Sequence, residues 1–308
     1  MHVLILGAGA MGSLLGARLS RTEVRVSLLS TNRQHMEAVR AHGLAIEELD
    51  GAVKRTRVPS YCDPRDLPEE ADLVIVVVKT YDTDKALFSI RGCARPSASF
   101  LTLQNGIGNW ERIAEHVGRE SVLVGITAQG ATLVEPGRIR HGGNGPTYIG
   151  EPEGPATERA HATVDLFRRA GLLSDASDSM QRLIWEKLMI NTGINAITAL
   201  TGIRNGGIVE YQAAREVCGA AVEEALLVAA AKGFPMGKDM VNRVLGVAGA
   251  TAVNRSSMGQ DVDRRKRTEI DAINGAIVQF GQETQTPTPV NRTLTQLVKV
   301  LQSSYLGC

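Results

Sequence analysis

Apolar and polar positions follow two periods in the first half of the chain. "HVLILGA" is a short apolar run ending in glycine, and "MGSLLGARLS" after it has helical spacing. "VRVSLLS" repeats the strand signal and "RQHMEAVRAHG" the helical one, with Gly43 as its stop. "LAIEE" and "VKRTRVPS" read as a hairpin. "DLVIVVVK" is apolar without alternation, which predicts a strand buried on both faces of a parallel sheet covered by helices. "SFLTLQNG" and "VLVGITAQGATLV" add strands, and "EPG" turns the second of these into "RIRHGGNGPTYIG". The pattern predicts a doubly wound α/β domain with an antiparallel extension.

"EPEGPATE" is then a loop, "RAHATVDLFRRAG" a helix closed by Gly171, and "LLSDASDSM" a last short strand and linker. Ser177 or Asp178 is placed there to cap the next helix. From about residue 176 onward the patterns are helical. "AAREVCGAAVEEALLVAAAKG" predicts one long amphipathic helix, and "QDVDRRKRTEIDAINGAIVQFGQET" another. The expected organisation is a sheet domain over 1–175 and an all-helical second domain over 176–308, with no internal repeat.

A chain of 308 residues is long enough for two cores. Lys plus Arg number 34 against 33 Asp plus Glu, so the net charge of +1 offers no general field for nucleic acid or anionic lipid. The four cysteines, Cys62, Cys93, Cys218 and Cys308, form no CxxC or CxxH pattern, so neither a disulfide framework nor a metal site is expected. No apolar run reaches the ~20 residues of a membrane span. The amino-terminal apolar run is too short, and lacks the charged leader, to be a signal peptide. A cytoplasmic protein is expected.

"LILGAGAMGSLLG" places Gly7, Gly9 and Gly12 in GxGxxG spacing after the first strand and at the start of a helix. The first glycine suits a tight turn, the second lets backbone approach a pyrophosphate, and the third lets helix and strand pack closely. The loop Gly7, Ala8, Gly9, Ala10, Met11, Gly12 is therefore the expected dinucleotide cradle of a Rossmann-type domain, with the phosphates on the helix amino end. The second strand ends in Ser30, Thr31, Asn32 and Arg33, with no acid for a ribose diol. Those groups suit a ribose phosphate better, which points to NADPH with Arg33 as the phosphate partner. The blander reading makes Arg33 a solvated first-turn residue. Lys79 and Asn105 end two further strands and outline the same crevice.

In "IWEKLMINTGINAITALTGIRNG", residues 184–206, Lys187, Asn191 and Asn195 fall at i, i+4 and i+8 of an otherwise apolar helix. Buried polar groups are costly without partners, so the three either satisfy one another in the core or await a polar ligand. A hydride arriving at a carbonyl carbon leaves charge on oxygen, which a desolvated lysine ammonium can meet as general acid. Lys187 is thus the candidate proton donor, with Asn191 and Asn195 holding a small polar substrate. Ser257 and Gln260 form a capping box whose helix start also suits a substrate carboxylate. Glu269 lies at the edge of the Ile270, Ile273, Ile277 stripe, Asp271 points away from it, and "DRRKR" reads as a solvated, salt-bridged face.

The segments "GAGAMG", "VVVKT", "LQNG", "RHGGNGP", "WEKLMINTGINAIT", "RNG" and "NRSSMGQDV...TEIDAINGAIV" resemble the ketopantoate reductase family over nearly the whole chain, in order. The resemblance implies Lys187 as proton donor. It implies substrate binding by Asn191, Asn195, Asn205, Asn254 and Ser257, with Ser257 at the carboxylate. It also implies that Asn105 serves cofactor and substrate, that Lys79 and the Ala131 backbone contact the cofactor, and that Glu269 closes on it. Family members commonly place Arg directly after the second strand, where this chain has Thr31 and Asn32.

The expected function is NADPH-dependent reduction of 2-dehydropantoate to pantoate in pantothenate synthesis, on a small-molecule 2-oxo acid, without nucleic acid or membrane partners. The alternatives are a reductase of another 2-oxo acid on the same scaffold and a dinucleotide sensor without turnover. Intact Lys187, Asn191, Asn195, Ser257 and Glu269 argue against the sensor. The apolar helices of the second domain leave room for a homodimer.

Overall fold

A computed structural model describes residues 1–307, which form two compact units. The first comprises Met1–Gln104 and Gly108–Gln181; the second comprises Asn105–Ile107 and the chain from Arg182 onward.

The first unit runs β1 (His2–Leu6), α1 (Ala10–Leu19), β2 (Arg25–Leu29), α2 (Arg33–His42), β3 (Leu44–Glu47), β4 (Val53–Thr56), β5 (Ser60–Tyr61) and β6 (Ala71–Val76). It continues through α3 (Thr83–Ser89), β7 (Ala94–Thr102), α4 (Asn109–Val117), β8 (Val122–Glu135), β9 (Arg138–Gly150), α5 (Glu158–Arg169) and β10 (Ser174–Ala176). The strands form one sheet in the order β4-β3-β9-β8-β7-β6-β1-β2-β5, with β10 on β9. From β8 to β5 every pairing is parallel, while β8 with β9 and β3 with β4 are antiparallel. The doubly wound sheet with its antiparallel extension is thus present. Leu73, Val74, Ile75 and Val76 of β6 are at most 1 % exposed, as an uninterrupted apolar strand covered on both faces requires.

The second unit is helical: α6 (Met180–Thr201, which begins two residues before it), α7 (Gly207–Glu210), α8 (Gln212–Ala231), α9 (Met240–Ala250), α10 (Ser257–Asp263), α11 (Asn274–Glu283) and α12 (Pro289–Leu306). Trp185 of α6 anchors its core, with its ring 5.9 Å from that of Phe234 and 5.7 Å from that of Phe280. Gly193 lets α6 approach α8 and α9: a Cβ there would lie 2.9 Å from Cys218 Sγ and 2.8 Å from a Val244 methyl.

Three local expectations are corrected. The helix predicted through "QDVDRRKRTEIDAINGAIVQFGQET" is two helices, α10 and α11, separated by an irregular loop and a 3₁₀ turn, Ile270–Ala272. Arg265 turns left-handed after α10 (φ 51°) and the Lys266 N–H returns to the Asp261 carbonyl at 2.8 Å, which ends the helix. The capping residue of α10 is Ser256, which accepts from the Gly259 N–H at 3.0 Å, while Gln260 donates to the Arg255 carbonyl. Asp178 accepts from the Ala156 N–H at 2.8 Å, tying the α5 approach to the linker, and Ser177 accepts from the Ser179 N–H.

Candidate active site

The glycine loop follows directly from β1. Gly7 adopts φ +104° and, with Ala8, donates its N–H to the Leu29 carbonyl at 3.0 Å, turning the chain over the end of β2. A Cβ on Gly7 would meet the Val78 amide nitrogen at 2.6 Å. Gly12 faces the Gly7 carbonyl, where a Cβ would lie 2.5 Å away, so α1 rests directly on the loop. Gly9 differs: a Cβ there meets nothing within 4 Å, and the residue caps α1 with no side-chain bond of its own. Open space over backbone at a helix amino end is what a pyrophosphate needs. Ala8 and Met11 look inward, Ala8 fully buried in the first core and Met11 packed against it, while Ala10 is half-buried at the first turn.

Arg33 opens α2 and is exposed. The neighbouring Asn32 accepts from the His35 N–H at 3.2 Å, so its carboxamide oxygen serves the helix cap. The His35 ring is buried, which pushes its pKa down, and its Nδ1 accepts from the Gly137 N–H at 2.9 Å. The proton then lies on Nε2, which donates to Ser13 Oγ on α1 at 2.9 Å. His35 thereby fixes the Arg33 turn against the glycine-loop helix, a role no local pattern announces. Ser30 donates its N–H to the Tyr61 carbonyl at 3.1 Å, which brings the loop after β5 alongside. There Asp63 is held at a pKa of about 2, chiefly by hydrogen bonds from Arg65, with the charge of Arg33 adding to the effect. Arg65 is thus a second guanidinium at the end of β2 that sequence reasoning missed.

Lys79 begins the 3₁₀ turn Thr80–Asp82 beyond β6, and Gln104 braces that segment by donating to the Val78 carbonyl at 3.0 Å and to Thr83 Oγ1 at 2.8 Å. Ala131 lies on β8 opposite His141, at an irregularity in the register between Gly130 and Ala131. Such bulges re-aim backbone groups.

In the second unit Lys187, Asn191 and Asn195 lie on one face of α6. Burial pushes the Lys187 pKa down to about 8, and the charge of Glu269 acts in the opposite direction. Glu269 itself is buried, next to the 3₁₀ turn. The Ile107 N–H donates to the Ala272 carbonyl of that turn at 3.3 Å, and Gly106, at φ +87°, packs where a Cβ would meet the same oxygen at 2.5 Å. Asn105 therefore belongs with the helical unit although it follows a strand of the sheet.

Asn191 and Asn195 do not satisfy each other. Their carboxamide nitrogens are buried and have no hydrogen-bond partner among the described residues, and neither has Oδ1 of Asn205. Asn205 is fixed by its Nδ2 donating to Thr251 Oγ1 at 3.0 Å and by its N–H donating to the Asn254 carbonyl at 3.0 Å. Ser257 is exposed at the first turn of α10. Two further residues escaped sequence reasoning. Thr198 Oγ1 lies 2.7 Å from Ser256 Oγ. Arg255 donates to the Thr198 and Ile203 carbonyls at 2.6 and 2.9 Å while gripping Asp263 with two bonds, which clamps the end of α6 to α10.

The family described as ketopantoate reductase PanE/ApbA matches residues 3–154, and its C-terminal family matches residues 179–302. The chain belongs to the ketopantoate reductase family. A 2-dehydropantoate 2-reductase of Halobacterium salinarum is 41 % identical over 98 % of this chain and 99 % of its own length. Among solved structures, a PanE/ApbA family ketopantoate reductase from Ralstonia eutropha JMP134 is 31 % identical, with a TM-score of 0.90 over 99 % of each chain. D-mandelate dehydrogenase, solved with NADH and anilino(oxo)acetate, is 26 % identical, with a TM-score of 0.91 over 99 % of each chain.

Proposed function

We propose that this ketopantoate reductase family member reduces 2-dehydropantoate to pantoate, with NADPH as its hydride source. The observation that carries the substrate class is a set of unpartnered groups, two on the Lys187 face of α6 and one in the loop beyond its end. Two carboxamide donors, on Asn191 and Asn195, and one acceptor, on Asn205, are left open. A buried polar atom without a partner costs about 1–3 kcal/mol, so three such atoms in the helical unit, two on one helix face, are what a ligand would satisfy. A 2-oxo acid with a hydroxyl on its side chain supplies what they lack, with carbonyl and carboxylate oxygens for the donors and an O–H for the acceptor.

The residues present fit a dinucleotide: Gly9 keeps its face clear, α1 presents its amino end, and Arg33 stands exposed at the end of β2. When bound, the reduced nicotinamide would supply the hydride to the carbonyl carbon. Asn191 and Asn195 orient that carbonyl, Ser257 receives the carboxylate, and the Lys187 ammonium delivers the proton to the nascent alkoxide. Burial keeps Lys187 acidic enough to give up a proton near neutrality, and Glu269 keeps enough of it charged to do so.

A panel of 2-oxo acids followed by NADPH absorbance tests the reading. The highest kcat/KM is expected for 2-dehydropantoate. The likeness to D-mandelate dehydrogenase supports a second reading, reduction of a different 2-oxo acid, and a markedly higher kcat/KM for an aryl 2-oxo acid would install it. Asn195→Ala is expected to raise KM about ten- to a hundredfold, the worth of one hydrogen bond to a charged acceptor, with NADPH affinity unchanged. An unchanged KM would remove Asn195 from the substrate site.

The same relative holds NADH, so cofactor choice needs its own test. Arg33→Ala is expected to weaken NADPH binding about ten- to a hundredfold and to leave NADH binding nearly unchanged. Fluorescence titration of both cofactors measures this. Equal NADPH affinity in wild type and variant would transfer the phosphate to Arg65 or to Thr31 and Asn32.

A further inference from the structure

Glu269 lies on a loop outside the α-helices, between α10 and the 3₁₀ turn Ile270–Ala272. After α10 the chain turns through left-handed Arg265 and reaches Thr268, which is 1 % exposed. Both the Thr268 N–H and its hydroxyl donate to Oε1 of Gln302 on α12, at 3.1 and 3.0 Å. The same hydroxyl accepts from the Ile270 N–H at 3.4 Å. Two more groups of α12 hold the loop: the Tyr305 hydroxyl donates to the Lys266 carbonyl at 2.9 Å, and Lys299 pairs with Asp271 at 2.6 Å. The last turns of α12 therefore hold residues 266, 268 and 271, on both sides of the buried Glu269 carboxylate.

We propose that Thr268 is a positioning residue: through Gln302 it fixes the Glu269 loop against α6, the helix of Lys187, to which the end of the loop is joined by Asn274 Nδ2 donating to the Thr192 carbonyl at 3.1 Å. The inference rests on the assignment of Lys187 as the proton donor. Other acidic groups on the neighbouring helices of the unit have partners of their own. Glu186 on α6 is paired with Arg182 and Arg243, and Asp271 with Lys299 and Arg267. Asp263 is held by Arg255, Asp261 of α10 acts on Tyr305 of α12, and Glu224 of α8 caps α12 through the Val290 and Asn291 N–H groups. The charge of Glu269 raises the Lys187 pKa against the effect of burial. A loop that lets Glu269 drift toward water weakens that field, and the ammonium is lost at a lower pH.

Thr268→Val keeps the side-chain shape and removes the hydroxyl, whereas Thr268→Ser keeps the hydroxyl. In the reductive direction Thr268→Val is expected to move the falling limb of kcat against pH about one pH unit lower, and Thr268→Ser to leave it in place. Glu269→Gln should shift the limb in the same direction. Adding Thr268→Val to Glu269→Gln should shift it no further, because both act through one carboxylate. Should Thr268→Val fail to fold, Gln302→Met removes the same acceptor from α12 and carries the same expectation. A limb that stays at its wild-type pH in Thr268→Val or Gln302→Met, whatever the melting temperature does, overturns the proposal, as does an additive shift in the double variant. A separate outcome, Lys187→Ala turning over with the limb intact, overturns the reading beneath it.

Discussion

Lys187→Ala is expected to lower kcat for reduction by at least about 10²-fold, the lower bound of what a positioned general acid supplies, with NADPH affinity changed little. The wild-type pH profile should carry the signature of the same group. The Lys187 pKa is lowered from 10.5 to about 8, first by burial and against the charge of Glu269. Only the ammonium donates, so the reductive rate should be level below pH 8 and fall about tenfold per pH unit above it. The reverse oxidation needs the free amine and should rise over the same interval. Steady-state rates from pH 6 to 10 in wild type and variant decide the point. A Lys187→Ala enzyme within a few fold of wild type, with the limb still present, would leave α6 with a lysine that serves only packing.

What the sequence made legible, and what it hid, divides along the range of the interactions. The alternation that builds the sheet, the glycine spacing of the loop and the one-face spacing of Lys187, Asn191 and Asn195 are set within a turn or two of chain, and each reappears in the fold. Whether the two asparagines form a core network could not be read from spacing, because it depends on which partners the tertiary fold brings. The answer comes from their unpartnered nitrogens. The break after α10 was hidden for a related reason. Ile270, Ile273 and Ile277 keep helical spacing across it, but the loop is shaped by Gln302, 34 residues beyond Thr268. His35 and Gly137 are 102 residues apart, and Asn105 follows a strand of one unit while packing in the other. Ser256 in place of Ser257 as the cap is a one-residue ambiguity inherent in a serine pair.

Gly9 and Gly12 are expected to separate cofactor binding from folding, and Gly9→Val should give the second large effect. A Cβ on Gly9 meets no protein atom within 4 Å, and its φ of −79° lies outside the left-handed region that favours glycine. Gly9→Val should therefore change unfolding free energy by no more than about 0.5 kcal/mol, the usual reach of a surface change. If that space belongs to a pyrophosphate, the added methyl groups collide with it. Overpacking at the upper end, about 3 kcal/mol, corresponds to a loss on the order of a hundredfold in dinucleotide affinity. Gly12→Val should fail differently, since its Cβ would lie 2.5 Å from the Gly7 carbonyl and 2.9 Å from an Ile5 methyl. Relief there requires α1 to lift from β1, costing about 1–3 kcal/mol of stability, and affinity falls because the loop is deformed. Denaturant unfolding and NADPH titration of both variants make the comparison. Wild-type NADPH affinity in a fully folded Gly9→Val protein would show that the cofactor does not approach the backbone at Gly9, and would move the cradle away from the amino end of α1.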